Sequence, residues 1–209
     1  MPVDLPALVA PEHSALVVFE MQRGVVGDLH RMPELGRAVA ESGIVPRLAG
    51  LVDAARDAGV RVIHAIVEWR PDRAGMIVSS PLLAIMTKHA DHVLAGSPTA
   101  EIVPELGPDP ADLVSSRASG VSPFTATNLD HLLRAESAST VVAVGAGLTL
   151  GMLGLAIEAV GLGYSVVIPA DGVVDVDPEY AALMWDKTFP LIVTRTNVAA
   201  LEAIWRTPR

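Results

Sequence analysis

Residues 140–172 read TVVAVGAGLTLGMLGLAIEAVGLGYSVVIPADG, and the reading of that stretch decides the fold. Thr140 to Val144 is a β-branched run with almost no polar character. Short runs of this kind are the pattern of a parallel strand covered on both faces. Gly145 and Gly147 then let the chain turn sharply. Thr149 is a candidate N-cap for an apolar helix that ends at Gly161 and Gly163. Tyr164 to Pro169 forms the next strand. The result is a strand–helix–strand unit whose turn opens at the carboxyl end of its first strand. Open α/β sheets bind ligands at that end, and the N–H groups of a helix start favour negative charge there. The segment Gly145 to Met152 is therefore expected to form one wall of a binding site, with Ala146, Gly147, Thr149, Leu150 and Gly151 facing the ligand.

Outward from this unit the same alternation continues. Ser14 to Met21 reads as the first strand, apolar until Glu20, after an arm broken by Pro2, Pro6 and Pro11. A carboxylate ending a buried strand either reaches solvent as the strand emerges or has a partner and a purpose. Arg23 to Pro33 is a loop in which His30 could line a pocket mouth or simply be solvated. Glu34 to Ala58 is helical, with a break expected near Ser42-Gly43 and a stop at Gly59. Val60 to Val67 is the second strand, with His64 as a packed core residue. The loop from Glu68 to Gly75 leaves that strand toward the ligand end, so Arg70 and Arg73 are candidates to grip a substrate carboxylate, or else solvated loop residues. Pro81 to Leu94 is expected to be helix, Leu113 to Ser116 a third strand and Asn128 to Glu136 a helix. The remaining elements are a helix from Glu179 to Lys187, a strand from Leu191 to Thr194 and a closing helix from Val198 to Trp205. Six strands alternating with helices predict a three-layer α/β/α sandwich on a mainly parallel sheet, in one domain over residues 1–209.

Composition narrows the function. The net charge of −9 argues against nucleic acid and anionic membrane as partners. No apolar stretch is free enough of proline and charge to span a bilayer, and no basic segment followed by an apolar run marks a signal peptide. The chain has no cysteine, which excludes disulfides and thiol catalysis and is compatible with a cytoplasmic protein. His89 and His92, three residues apart, lack a suitably spaced carboxylate, so neither a metal nor any other cofactor is expected.

The central stretch resembles the isochorismatase-like superfamily, also called the cysteine hydrolases. Gly145, Ala156, Ala159, Gly163, Tyr164 and Asp171 fall where that pattern wants them. Glu20-Met21-Gln22 resembles the superfamily's Asp, hydrophobic residue and Gln at the end of the first strand. Ser122, Phe124, Thr127 and Leu129 match the segment after the third strand. The resemblance implies a small-molecule hydrolase, a homodimer or homotetramer, and a non-proline cis peptide near Ala146–Gly147. It places Glu20 as the acid or base and Gln22, Ser122 and Phe124 at the substrate. The position of its catalytic Lys counts back to Ala118, so the adjacent Arg117 either supplies that positive charge, with one extra residue in the turn, or pairs with a surface acid. The Cys of the superfamily pattern falls on Gly151, so a covalent thioester route is excluded. Isochorismatases carry Gly there and hydrolyse a vinyl ether without a covalent intermediate. Thr149 and Ser122 carry hydroxyls, but no His is positioned by sequence to activate either. Two readings stay open. One is a hydrolase of a small anionic metabolite acting through Glu20. The other is a catalytically degenerate relative that binds a metabolite or a partner protein.

Overall fold

The computed structural model describes residues 3–207. Side chains alternate across each strand, and the two sets feed two separate cores. Leu16, Val18, Val62, Val142, Val144 and Val167 point to one face. Helices α2 (Pro33–Ser42), α3 (Ile44–Ala58) and α8 (Val198–Trp205) cover that face. Ala15, Val17, Ile63, Val141, Ala143 and Val166 point to the other. It is covered by α5 (Leu129–Ala135), α6 (Leu153–Gly161) and α7 (Pro178–Lys187). The strands are β1 (Ser14–Phe19), β2 (Arg61–Val67), β3 (Leu113–Arg117), β4 (Thr140–Ala146), β5 (Ser165–Pro169), β6 (Val173–Val174) and β7 (Thr194–Thr196). Two short helices, α1 (Leu5–Leu8) and α4 (Pro81–Met86), complete the set.

The sheet runs β3-β2-β1-β4-β5-β7, with β6 added beside the end of β4. Every one of these pairings is parallel. Strand order therefore reverses between β1 and β4, whose register pairs Ala15 with Val141 and Phe19 with Gly145. A crevice opens at the carboxyl ends of two strands at such a switch point.

The three-layer α/β/α architecture is the one expected, with differences at its edges. The sheet has seven strands because Val173–Val174 extends β4 beyond the reach of β5. The last strand is Thr194–Thr196 rather than Leu191–Thr194, since Phe189–Leu191 forms a 3-10 turn with Leu191 exposed. The expected helix from Pro81 stops at Met86. Strand β1 ends at Phe19, two residues early. The arm holds one helical turn after all, because Asp4 caps it at Ala7 N–H and Pro6 falls in the first turn, where its missing N–H costs nothing. The break between α2 and α3 falls at Gly43, in a left-handed conformation with φ 62°.

Candidate active site

The site grows from the two central strands. Beyond Phe19 the chain takes a left-handed turn at Glu20, with φ 52°. A non-glycine residue there costs on the order of 1 kcal/mol and persists only where its surroundings impose it. Here the Glu20 N–H is tied to Ala65 O at 2.9 Å, and the carboxylate is carried off the carboxyl edge of the sheet. Gly145 makes the close approach of β4 possible. At its φ of 127° an added Cβ would lie 3.0 Å from Phe19 C and N, and nearer still to Phe19 O. Only glycine fits both the angle and the gap.

Arg117 ends β3, and its Nη2 donates to Glu20 Oε1. The two side chains are only 5% and 12% exposed, so the ion pair is nearly dry. Arg117 Nε also donates to Gly120 O at 3.3 Å. Its Nη1 is buried without a hydrogen-bond partner, and the guanidinium carbon lies 5.3 Å from the centre of the Phe19 ring. Glu20 Oε2 makes no hydrogen bond to the described residues. The pair lies on the wall of a cavity of about 580 Å³. Other walls come from the 146–151 turn, from Leu82 and Met86 of α4, and from Arg37 of α2. Arg37 is exposed and has no ion-pair partner among the described residues.

The turn after β4 differs from the expectation. Leu148–Met152 is a single π-helical turn that leads into α6, and Gly147, with φ 64°, is its flank. Thr149 is not the N-cap. It lies inside the turn, and Asp175 accepts from Thr149 N at 2.7 Å and from Thr149 Oγ1 at 2.9 Å. The same carboxylate also accepts from Val176 N at 2.8 Å. A helix start already holding a carboxylate is a poorer seat for a substrate anion. All peptide bonds among the described residues are trans, so the expected cis bond at Ala146–Gly147 is absent and the positive φ angles of Gly145 and Gly147 make the turn instead.

The remaining candidates separate into two groups. Glu20, Arg117, Ala146, Gly147, Thr149, Leu150 and Gly151 share the cavity wall. Gln22 is fully buried and spent on backbone: its Nε2 donates to Val67 O and Ala100 O, both at 2.9 Å, and its Oε1 accepts from Val67 N at 2.9 Å. Arg70 is exposed and closes a two-bond fork onto Asp72. Arg73 covers Trp69, with 4.6 Å from its guanidinium carbon to the ring, and donates to Ala90 O. Ser122 packs under Gly154, and Phe124 stacks on Tyr164. None of these five lines the cavity. His30 bonds to Gly27 O, away from it. His64, in the middle of β2, is buried against Asp112, which also takes Arg56, and it does not line the cavity. Burial holds the His64 pKa below the ordinary imidazole value against the pull of Asp112. No group of three His, Asp or Glu side chains among the described residues is placed to hold a metal.

Phe19, Asp175 and Arg37 are among the cavity residues that sequence reasoning missed. Phe19 had a signal, as one of only three phenylalanines in the chain, closing an aliphatic strand. Asp175 had a weaker one, a carboxylate just past Val173–Val174.

Residues 14–200 match the isochorismatase domain family model. The chain belongs to the isochorismatase family. A curated relative, maleamate amidohydrolase of Pseudomonas putida, is 28% identical over 160 residues, covering 73% of this chain and 71% of its own. An isochorismatase family protein of Desulfovibrio vulgaris superposes with TM-score 0.77 at 28% identity, covering 93% of this chain and 98% of the other. One from Burkholderia thailandensis gives TM-score 0.75 at 26% identity, covering 94% and 97%. Family membership thus rests on nearly the whole length, including both central strands. Among the described residues of this isochorismatase-family chain, no helix is long and apolar enough to cross a membrane.

Proposed function

We propose that this chain hydrolyses a small anionic molecule without a covalent intermediate, with Glu20 as the proton-transferring group. The observation that carries this reading is the state of the Glu20 carboxylate. One oxygen is fixed by Arg117, the other is unengaged, and the group lies on the wall of a largely apolar cavity. A carboxylate held in an ion pair is a proton acceptor, so its role is general base. It takes a proton from a water molecule as the water oxygen bonds to the substrate carbon. The same proton then passes to the leaving group as the old bond breaks, which returns Glu20 to its starting form. Arg37, unpaired on the cavity wall, supplies positive charge for an anionic substrate. The relative named for maleamate points to small amides as the first class to try. The chain has no cysteine, so no thioester intermediate can form.

The closure of the ion pair favours a second reading. A carboxylate locked to a buried guanidinium serves the fold as well as chemistry, and a cavity built around it can bind a ligand without turning it over. The two readings part in one experiment. Parent and Glu20→Gln proteins are assayed against a panel of carboxylate-bearing amides, maleamate among them, with calorimetric binding in parallel. Hydrolysis by the parent that falls by about a hundredfold or more in the variant, with affinity kept within a few fold, is expected. Saturable binding by both proteins with turnover by neither would replace the hydrolase by the binding module, and equal turnover by both would remove Glu20 as the proton-transferring group.

A further inference from the structure

Gly151 leaves no empty space. A Cβ built on it would meet Phe19 Cζ at 2.5 Å and Phe19 Cε1 more closely still. Both lie well below the separation that carbon atoms tolerate without movement of one partner. Phe19 is 1% exposed and packed among the residues under α6 while also lining the cavity, so a Cβ at position 151 is accommodated only by displacing the ring. The opposite side of the story is Arg117. Its guanidinium lies 5.3 Å from the ring centre, and its Nη1 has no hydrogen-bond acceptor. A buried guanidinium N–H without an acceptor is costly, and the face of an aromatic ring beside the guanidinium offsets part of that cost.

We propose that Phe19 is the positioning residue of this site. Its ring fills the space a side chain at position 151 would need, and it carries the guanidinium that aims Glu20. Residues 19 and 151 are then one steric unit. While the ring is present, no side chain can project from position 151, and any that is forced there pushes the ring and tilts Arg117 away from Glu20. The steric part stands on geometry alone. The consequence for Glu20 rests on the proposed function, and the test keeps the two apart.

The test uses the full chain, which has no thiol of its own, so an introduced cysteine is read without background. Gly151→Ala in the parent should lower the melting temperature by about 5 °C through overpacking. In a Phe19→Ala background the same substitution should cost nothing further. The thiol of Gly151→Cys should react slowly with iodoacetamide, and that of Phe19→Ala/Gly151→Cys at least tenfold faster. With the ring gone the thiol faces Arg117, so the pH midpoint of its alkylation should fall below about 8.5, the value of an unperturbed cysteine. Phe19→Leu/Gly151→Cys serves as the second double variant, since Leu keeps part of the core volume. None of these readouts needs turnover, so they decide the steric unit even if the hydrolase reading fails. A Gly151→Ala protein as stable as the parent, or equal thiol reactivity with and without the ring, would overturn the proposal.

Discussion

Glu20→Gln is chemically the smallest change at the site, yet it should unsettle the fold as well as the chemistry. The amide oxygen of Gln still accepts from Arg117 Nη2, so the hydrogen bond survives, while the guanidinium loses its counter-charge. Arg117 is the deeper partner at 5% exposure and already has one N–H unsatisfied. Removing one member of a buried pair costs about 3–5 kcal/mol, and the retained hydrogen bond and the cavity beside Glu20 reduce this to about 2 kcal/mol for Glu20→Gln. Arg117→Met strands the carboxylate but keeps the long apolar stem over Phe19, for about 3 kcal/mol. The double variant removes both charges and should cost only about 2 kcal/mol, leaving a coupling of about 3 kcal/mol between the two positions. Urea unfolding of the four proteins at neutral pH measures that coupling directly, with constant slopes as the check on two-state behaviour. Added salt should change it little, since a dry pair is poorly screened. Single losses that simply add in the double variant, to within about 0.5 kcal/mol, would refute the claim that these groups form one buried unit.

Two other expectations follow from buried polar groups. Gln22→Ala removes three hydrogen bonds of 2.9 Å and leaves the Val67 and Ala100 backbone groups dry, so it should cost about 3–4 kcal/mol in urea unfolding while leaving ligand affinity unchanged once folded. His92 is fully buried, edge-on to Trp69 at 5.5 Å between ring centres, with neither ring nitrogen partnered. Burial pushes its pKa down to about 4 from 6.5, so the unfolded chain binds the extra proton between those values. Stability from His92 is therefore complete above pH 6.5 and drains away as pH falls toward 4, up to about 3 kcal/mol. His64 shifts in the same direction, so the comparison is with His92→Gln, whose unfolding free energy should fall less steeply over that window. Equal slopes for the two proteins would show that His92 is hydrated in the native state.

Legibility in the sequence followed the range of the interactions. Strands β4 and β5 and the helix between them were readable because hydrophobic runs and glycines act locally, through burial pattern and backbone freedom. The position of Glu20 was readable for the same reason: a charge ending an apolar strand marks a sheet edge. Boundaries were less so. Val173–Val174 is strand only because β4 offers it an edge, and the residues from Leu191 turn because the buried Phe189 and the exposed Pro190 begin a 3-10 turn before the chain reaches β5. Gln22 matched its motif and still points into backbone, since a strand-end side chain can face the cavity or the loops beneath it with the same sequence.

What the sequence determined by itself was the layer order, the end of the sheet at which the cavity opens, the lack of a thiol and the carboxylate that follows β1. What tertiary structure alone decided was the environment of that carboxylate. Arg117 reaches Glu20 from 97 positions away, Asp175 caps Thr149 from 26 positions away, and the Phe19 ring fills the gap beside Gly151 from another strand. No local propensity encodes these meetings. They arise where parallel strands bring their carboxyl ends to one crevice, and there the fit of a ring, a guanidinium and a missing side chain fixes what the carboxylate can do.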